Sequence, residues 1–204
     1  TSKVLLELIN TLKPKSVHFS SYGLREGILF SQMPEKLKKL DPLLEACREQ
    51  EKLAARFPGF GDSLLEWILP IFKNLEAADI RLFHAACLLH DTTWKAHPDY
   101  RAEMSFETVT RSNLGGIDHQ GRLFLALALM SRYKKISWHD NIYGPLKLLN
   151  AERSELAIAL GRAMRLGAMI SGSSKINLRK SVLVVKGERL FLYLKKSGLS
   201  LSGE

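Results

Sequence analysis

The sequence predicts a mainly α-helical protein with a short mixed α/β segment at its N-terminus and a small β-hairpin at its C-terminus. Two stretches, Leu82–Leu89 and Leu123–Met130, are apolar on nearly every side of a helix, so neighbouring helices must cover them all round. After residue 175 the apolar period changes from 3.6 to 2. Ser181–Val185 and Arg189–Leu194 then flank a short turn, which is typical of a β-hairpin.

Composition limits the classes of protein that this chain represents. Its 204 residues, 46% of them hydrophobic, are enough for one good core. The 30 Lys and Arg residues exceed the 21 Asp and Glu residues, for a net charge of +9. This excess favours a polyanionic partner such as nucleic acid, a phosphate polymer or a membrane surface, although a solvated basic surface without a partner is the alternative.

Cysteine content and hydropathy predict a cytoplasmic protein. Cys47 and Cys87 fall on separate predicted helices, which indicates reduced thiols and not a disulfide framework. No apolar run approaches the length of a transmembrane helix, and the N-terminus has no signal-peptide pattern. We therefore expect no membrane partner.

The N-terminal domain, predicted over residues 1–32, looks like the last piece of an α/β sheet. Apolar residues at helical spacing cover Val4–Leu12, and Ser16–Ser20 alternates like a short strand. A glycine-flanked turn over Tyr22–Phe30 follows. Because one strand is not a sheet, we expect the other strands upstream of Thr1, in a longer protein from which this chain is a fragment.

A helical domain is predicted over residues 33–174, followed by a basic hairpin extension over residues 175–204. Amphipathic patterns and capping residues predict its helices in order. They are Glu35–Phe57 with a break or kink near Asp41–Pro42, a helix capped by Asp62 or Ser63 that bends at Pro70 and runs to Leu75, Ile80–Asp91, a helix from Asp99 to about Asn113, a helix capped by Asp118, and Glu152–Ser171.

His90 and Asp91 are weak candidates for a metal site. In metal-dependent HD phosphohydrolases, a His-Asp pair at the end of a buried helix provides two of the metal ligands. That metal site also needs a histidine upstream and an aspartate downstream. Residues 35–79 contain no histidine, and residues 121–133 contain no acidic residue. The pair at His139 and Asp140 is weaker still. We expect no metal and no cofactor in this fragment.

Basic clusters are the stronger functional signal. Arg132, Lys134 and Lys135 follow the second apolar helix directly, and the hairpin region carries Lys186 and Arg189. We interpret these five residues as candidate polyanion-binding residues. For cations at the C-terminal end of a helix, favourable interaction with the helix dipole is the alternative explanation. No nucleophile elbow and no glycine-rich phosphate loop is present, so we expect no catalytic residue in this fragment.

Three segments resemble one family, the exopolyphosphatase / guanosine pentaphosphate phosphohydrolase (Ppx/GppA) family. Ser21–Leu29 (SYGLREGIL) resembles the motif that closes its second actin-like lobe. Leu88–Glu103 resembles the core of its HD-like helical domain, and Leu160–Ser173 is similar to the helix before its C-terminal β element. The order and spacing of the three also agree with the family.

The resemblance implies a fold and a role. The N-terminal piece would be the remnant of an actin-like lobe, and residues 33–174 an HD-like domain that extends a polyphosphate groove and supports a homodimer. The parent enzyme would use Mg²⁺ to hydrolyse terminal phosphate from polyphosphate or from pentaphosphate guanosine nucleotide, with its catalytic groups in the lobes upstream. Arg25 and Glu26 match the family motif, but neither is expected to be catalytic.

Two other classes remain open at this point. An independent metal-dependent HD phosphohydrolase would need a metal bound at His90 and Asp91. A basic helical nucleic-acid-binding module would explain the charge, although no basic recognition helix is evident. Within the resemblance, the sequence does not separate polyphosphate from the guanosine nucleotide as substrate.

Overall fold

The computed structural model describes residues 2–17, 22–136, 144–196 and 198 of the chain. Residues 1–40 and 41–204 form two separate compact units. Within the described residues the secondary structure is mainly helical with one hairpin. The elements are α1 (Ser2–Leu12), α2 (Leu24–Gln32), α3 (Glu35–Lys38), α4 (Pro42–Ala54), α5 (Phe60–Ile68), α6 (Ala77–Leu89), α7 (Arg101–Arg111), α8 (His119–Tyr133), α9 (Ala151–Ser171), α10 (Lys175–Leu178), β1 (Ser181–Lys186) and β2 (Arg189–Leu194).

Helices α1, α2 and α3 belong to the first unit, as far as its residues are described. Helix α1 confirms the predicted N-terminal helix. The predicted turn over Tyr22–Phe30 is wrong, because most of this segment lies in helix α2. The Glu26 carboxylate accepts a hydrogen bond from the Gly23 amide at 2.8 Å and satisfies this donor at the start of the helix. Of the predicted strand Ser16–Ser20, the first two residues are not in a strand, and the rest lie outside the described residues.

Local residues determine the boundaries of α4 and α5. The predicted break near Asp41–Pro42 is confirmed, because Asp41 caps α4 with Pro42 in its first turn, and the segment forms two helices. Helix α5 begins after Gly59, whose φ is +82°, and ends at Ile68 before a short 3₁₀ turn that contains Pro70. Its first-turn carboxylate, Asp62, is therefore not the cap.

The starts of the next two helices illustrate how capping decides a boundary. Asp99 was the predicted cap of α7, but it lies in a 3₁₀ turn, and the helix begins only at Arg101. Asp118 is confirmed as the cap of α8, since its carboxylate accepts a hydrogen bond from the Gly121 amide at 2.7 Å.

The core of the second unit surrounds the two apolar helices, as their composition predicts. Helix α6 packs against α4 and α5, and α8 packs between α7 and α9. Phe83 of α6 and Phe124 of α8 are fully buried and their rings stack 6.1 Å apart. Gly161 lets α9 approach α8 closely, because a Cβ at this position would lie 2.3 Å from the Ala128 carbonyl oxygen.

The predicted β-hairpin is confirmed. Strands β1 and β2 are antiparallel, with Ser181 opposite Leu194 and Lys186 opposite Arg189. Gly187, whose φ is +61°, permits the two-residue turn between them. The indole nitrogen of Trp67 donates to the Ser181 carbonyl oxygen at 3.2 Å, which attaches β1 to the helical core.

Among the helices that the structure describes, none combines the length and the apolar character that a membrane crossing requires.

We predict that Gly161→Ala destabilises the protein by about 2 kcal/mol or more, because a new methyl group would meet helix α8 backbone and force the two helices apart. Gly27→Ala in helix α2 is the control, because a Cβ at that position would meet no atom within 4 Å. Urea unfolding of both variants tests the prediction, and equal losses of stability would contradict it.

Candidate functional site

The His-Asp pair lies where two buried helices end side by side. Helix α6 ends at Leu89, His90 is its C-terminal cap, and Asp91 follows directly. The Tyr133 hydroxyl at the end of α8 donates to the His90 carbonyl oxygen at 3.0 Å. This bond holds the last turn of α8 against the end of α6, so the buried core determines the position of the pair.

Two arginines share the carboxylate of Asp91. Arg56, just after α4, donates from Nε to Oδ2 and from Nη2 to Oδ1, both at 2.8 Å. Arg132 in the last turn of α8 donates from Nη2 to Oδ1 at 3.3 Å. The Asp91 side chain is 2% exposed and that of Arg132 is 7% exposed, whereas the Arg56 side chain is 40% exposed. The Asp91–Arg132 pair is therefore desolvated and depends on its protein partners.

Electrostatics keep Asp91 ionised in this buried position. Burial alone would raise the pKa of its carboxyl group, but the hydrogen bonds from Arg56 and the positive charge of Arg132 outweigh it, and the pKa lies below its ordinary value. Burial lowers the pKa of Arg132 from its ordinary value. Because a guanidinium remains charged in proteins, the site holds two cations against one anion.

His90 is neutral at physiological pH. Its Nδ1 lies 2.9 Å from the Cys87 carbonyl oxygen, which can only accept, so Nδ1 carries the proton. Its Nε2 is buried and has no hydrogen-bond partner among the described residues. Burial, reinforced by the charge of Arg132, lowers the pKa of this imidazole to about 3.

These residues do not fit a metal ion. Both carboxylate oxygens of Asp91 already accept hydrogen bonds from arginines, and the two guanidiniums repel a cation at that position. In the part of the chain that the structure describes, no three His, Cys, Asp or Glu side chains are grouped as metal ligands. A nearby histidine, His84, is paired instead with Asp62 at 2.7 Å.

An arginine-lined cavity of about 440 Å³ adjoins the Asp91 cluster; we call it the first cavity. Its wall residues come from the ends of α4, α7, α8 and α9, and none of them is acidic. They are Arg56, Pro98, Arg101, Arg132, Tyr133, Arg165, Ala168, Met169, Gly172 and Ser173.

A second basic cavity, of about 420 Å³, shares two wall residues with the first. Arg165 and Met169 line both cavities, and Lys135 and Arg162 add two more positive charges to the second. Among the residues that the structure describes, none in this wall is acidic. We call the two adjoining cavities the basic groove.

The structure brings together only part of the predicted polyanion-binding set. Arg132 and Lys135 line the basic groove, although Arg132 is buried and not at an exposed mouth. The Lys134 ammonium lies 3.3 Å from the Glu103 carboxylate. Lys186 and Arg189 pair across the hairpin and line neither cavity, and the Lys186 ammonium lies over the rings of two hairpin aromatics. The second His-Asp pair, at residues 139 and 140, lies outside the described residues.

Sequence reasoning missed four arginines of the groove: Arg56, Arg101, Arg162 and Arg165. They lie on one loop and two helices, α7 and α9, and none belongs to a run of basic residues. A partial signal exists for the last two, because positions i and i+3 share one helix face.

Comparison with known proteins gives two matches. The family model described as "Exopolyphosphatase, C-terminal" matches residues 43–204. Among curated proteins, the chain is similar to Retrograde regulation protein 2 of Saccharomyces cerevisiae, with 30% identity over 131 residues. The match covers 63% of this chain and 21% of that protein, so the chain corresponds to only about a fifth of the relative's length.

We predict that His90 makes the folded state sensitive to acid. Its pKa is about 3 in the folded protein and about 6.5 when unfolded. Between these values the unfolded chain binds more protons, so acidification destabilises the fold by about 1.4 kcal/mol for each pH unit from this group. Asp91, whose pKa is depressed, adds a loss only at lower pH, as the carboxylate protonates.

Urea unfolding at several pH values between 4 and 7 measures this dependence. His90→Gln should flatten the slope, because glutamine does not titrate in this range. A wild-type slope that survives in His90→Gln would show that another group is responsible.

Proposed function

The chain belongs to the exopolyphosphatase C-terminal family, and from this membership we propose that it binds phosphate polymers for a larger phosphohydrolase. The parent protein would remove terminal phosphate from polyphosphate or from pentaphosphate guanosine nucleotide. In this proposal the present chain supplies binding and no catalytic residue. The single observation that carries the proposal is the basic groove, whose described wall residues include six cations and no acidic side chain.

The charges of the groove suit a phosphate polymer. A polyphosphate chain carries closely spaced negative charges, so its binding is governed by neutralisation and counterion release, as for nucleic acid. Arginine adds geometry to charge, because its planar fork can donate two hydrogen bonds to one phosphate group. Four arginines line the first cavity, and Arg162 and Lys135 extend the positive wall into the second.

Lys134, Lys186 and Arg189 are proposed as outer contacts that only a long chain reaches. Lys134 follows directly on the last turn of α8, one residue before Lys135. The side chains of Lys186 and Arg189 flank the hairpin turn, where both are available to solvent. A short anion that fills the groove would contact none of them.

The HD-like and actin-like descriptions of the fold are part of the proposal. Residues 33–174 would be an HD-like domain in which arginines bind the aspartate instead of a metal. Residues 1–32 would close an actin-like lobe. In support, helices α1 and α2 contain no buried residue, and both expose leucines. Lobes upstream of Thr1 would cover these side chains.

Metal chemistry is proposed to belong to the parent protein alone. Mg²⁺ would act with phosphate loops and carboxylates upstream, since the Asp91 cluster offers no open carboxylate to a cation. We further propose a homodimer in the cytoplasm. In support of that compartment, Cys47 and Cys87 are both free and buried, and burial raises the pKa of Cys47 to about 12, so the thiols stay protonated and unreactive.

The first test of this function is binding of polyphosphate to the 204-residue chain by calorimetry. Long-chain polyphosphate should bind more tightly than tripolyphosphate, and both affinities should fall steeply with salt. The double variant Lys135→Ala/Arg162→Ala should weaken both ligands and reduce the salt slope by about 1 for each cation removed.

Two further double variants sharpen this test. Lys186→Ala/Arg189→Ala should weaken long-chain binding only. Lys52→Ala/Arg111→Ala, which removes two exposed cations that line neither cavity, is the control and should change nothing. Equal binding by all three variants would mean that the basic groove is only a solvated surface.

The second test concerns metal. Because Asp91 is held by two arginines, we expect the purified chain to contain no stoichiometric Mn, Fe or Zn after exposure to these ions and desalting. Elemental analysis measures the content. About one ion per chain, lost in His90→Ala, would contradict the proposal and favour an independent HD phosphohydrolase.

A further inference from the structure

A buried arginine forms part of the wall of the first cavity. Arg132 is only 7% exposed, yet it lines the cavity. Its Nη2 donates to Asp91, while its Nε is buried without a hydrogen-bond partner among the described residues. A buried donor on a charged group that lacks an acceptor is costly in a folded protein, so the position favours an anion.

The charges around this cavity also favour an anion. Arg56, Arg101, Arg132 and Arg165 line it, and Asp91 is the carboxylate that Arg56 and Arg132 share. The Lys134 ammonium forms an ion pair with the nearby Glu103 carboxylate at 3.3 Å. Arg165 has no carboxylate partner in the part of the chain that the structure describes. The local excess is therefore enough to hold a doubly charged anion at low cost in repulsion.

The wall of the first cavity is partly apolar and partly basic. Pro98, Tyr133 and Met169 give it an apolar side, and Arg165 lines both this cavity and the second. A volume of about 440 Å³ holds more than one phosphate group. A terminal phosphate could thus lie on Arg132 while the next groups leave over Arg165.

We propose that the first cavity is a discrete site for a terminal phosphate dianion, either free orthophosphate or the end group of a polyphosphate chain, with Arg132 at its base and Arg165 at its exit. The inference rests on the proposed function for the choice of a phosphate ligand. An end group carries one more ionisable oxygen than an interior group, so four guanidiniums favour it. Asp91 competes with the ligand for Arg56 and Arg132 and limits its affinity.

The experiment is calorimetric titration of the 204-residue chain with orthophosphate. One site per chain is expected, and Arg165→Gln should weaken binding at least about tenfold, because it removes a charge-assisted hydrogen bond. Lys52→Ala/Arg111→Ala, which changes no residue that lines either cavity, is the control and should leave orthophosphate binding unchanged. No orthophosphate binding, or equal affinity in wild type and Arg165→Gln, would overturn the proposal.

Competition experiments identify the source of the phosphate. Linear tripolyphosphate has two end groups, whereas cyclic trimetaphosphate has none. Displacement of orthophosphate by the linear compound alone would assign the site to chain ends. Displacement by neither compound would assign it to free orthophosphate, and equal displacement by both would overturn recognition of a terminal group.

Asp91→Asn gives a second readout that does not depend on Arg165. The variant leaves the buried Arg132 and the partly exposed Arg56 without their carboxylate, so its melting temperature should fall. Orthophosphate should then raise the melting temperature of Asp91→Asn more than that of wild type, since the ligand replaces the missing charge. An equal rise in both proteins would overturn the placement of the ligand beside Arg132.

Failure of this inference and failure of the proposed function are distinguishable. If orthophosphate binds but long chains bind no more tightly than short ones, the cavity site is supported and the proposed polymer binding is contradicted. If long chains bind but orthophosphate does not, the polymer binding is supported and the cavity site is contradicted.

Discussion

The carboxylate of Asp91 is the constraint on which this site depends. It joins Arg56 after α4 to Arg132 at the end of α8, and it comes itself from the end of α6. A buried charge that loses its partner costs several kcal/mol, so these three segments hold their positions together. Tyr133 and Trp94 support the cluster, by bonds to the His90 and Ala54 carbonyl oxygens at 3.0 and 2.9 Å.

The same cluster changes what a His-Asp pair at a helix end can do. In a metal site, the aspartate oxygens and one imidazole nitrogen are free to bind the cation. Here the aspartate oxygens are occupied by guanidiniums, and His90 is neutral, buried and next to the Phe60 ring at 5.2 Å. The charge that remains is positive and faces a cavity, which supports binding of anions in our proposal.

Close packing of α8 on α9 places the rest of the groove. Gly161 brings the two helix backbones together, and the turn of α9 that follows carries Arg162 and Arg165 beside the end of α8. A bulkier residue at position 161 would separate these arginines from Arg132 and Lys135. The basic groove is therefore a consequence of helix packing in the core, and not of a separate binding loop.

The sequence by itself determined the two apolar helices, the long helix α9, the hairpin and the family resemblance, because periodicity and local motifs depend on neighbouring residues. It misplaced the starts of α5 and α7, where Gly59 and a 3₁₀ turn decided the boundary. Only the tertiary structure decided that Arg132 is buried on Asp91 and that scattered arginines line one groove. The groove arginines come from distant parts of the sequence, and only the packing of four helices brings their side chains together.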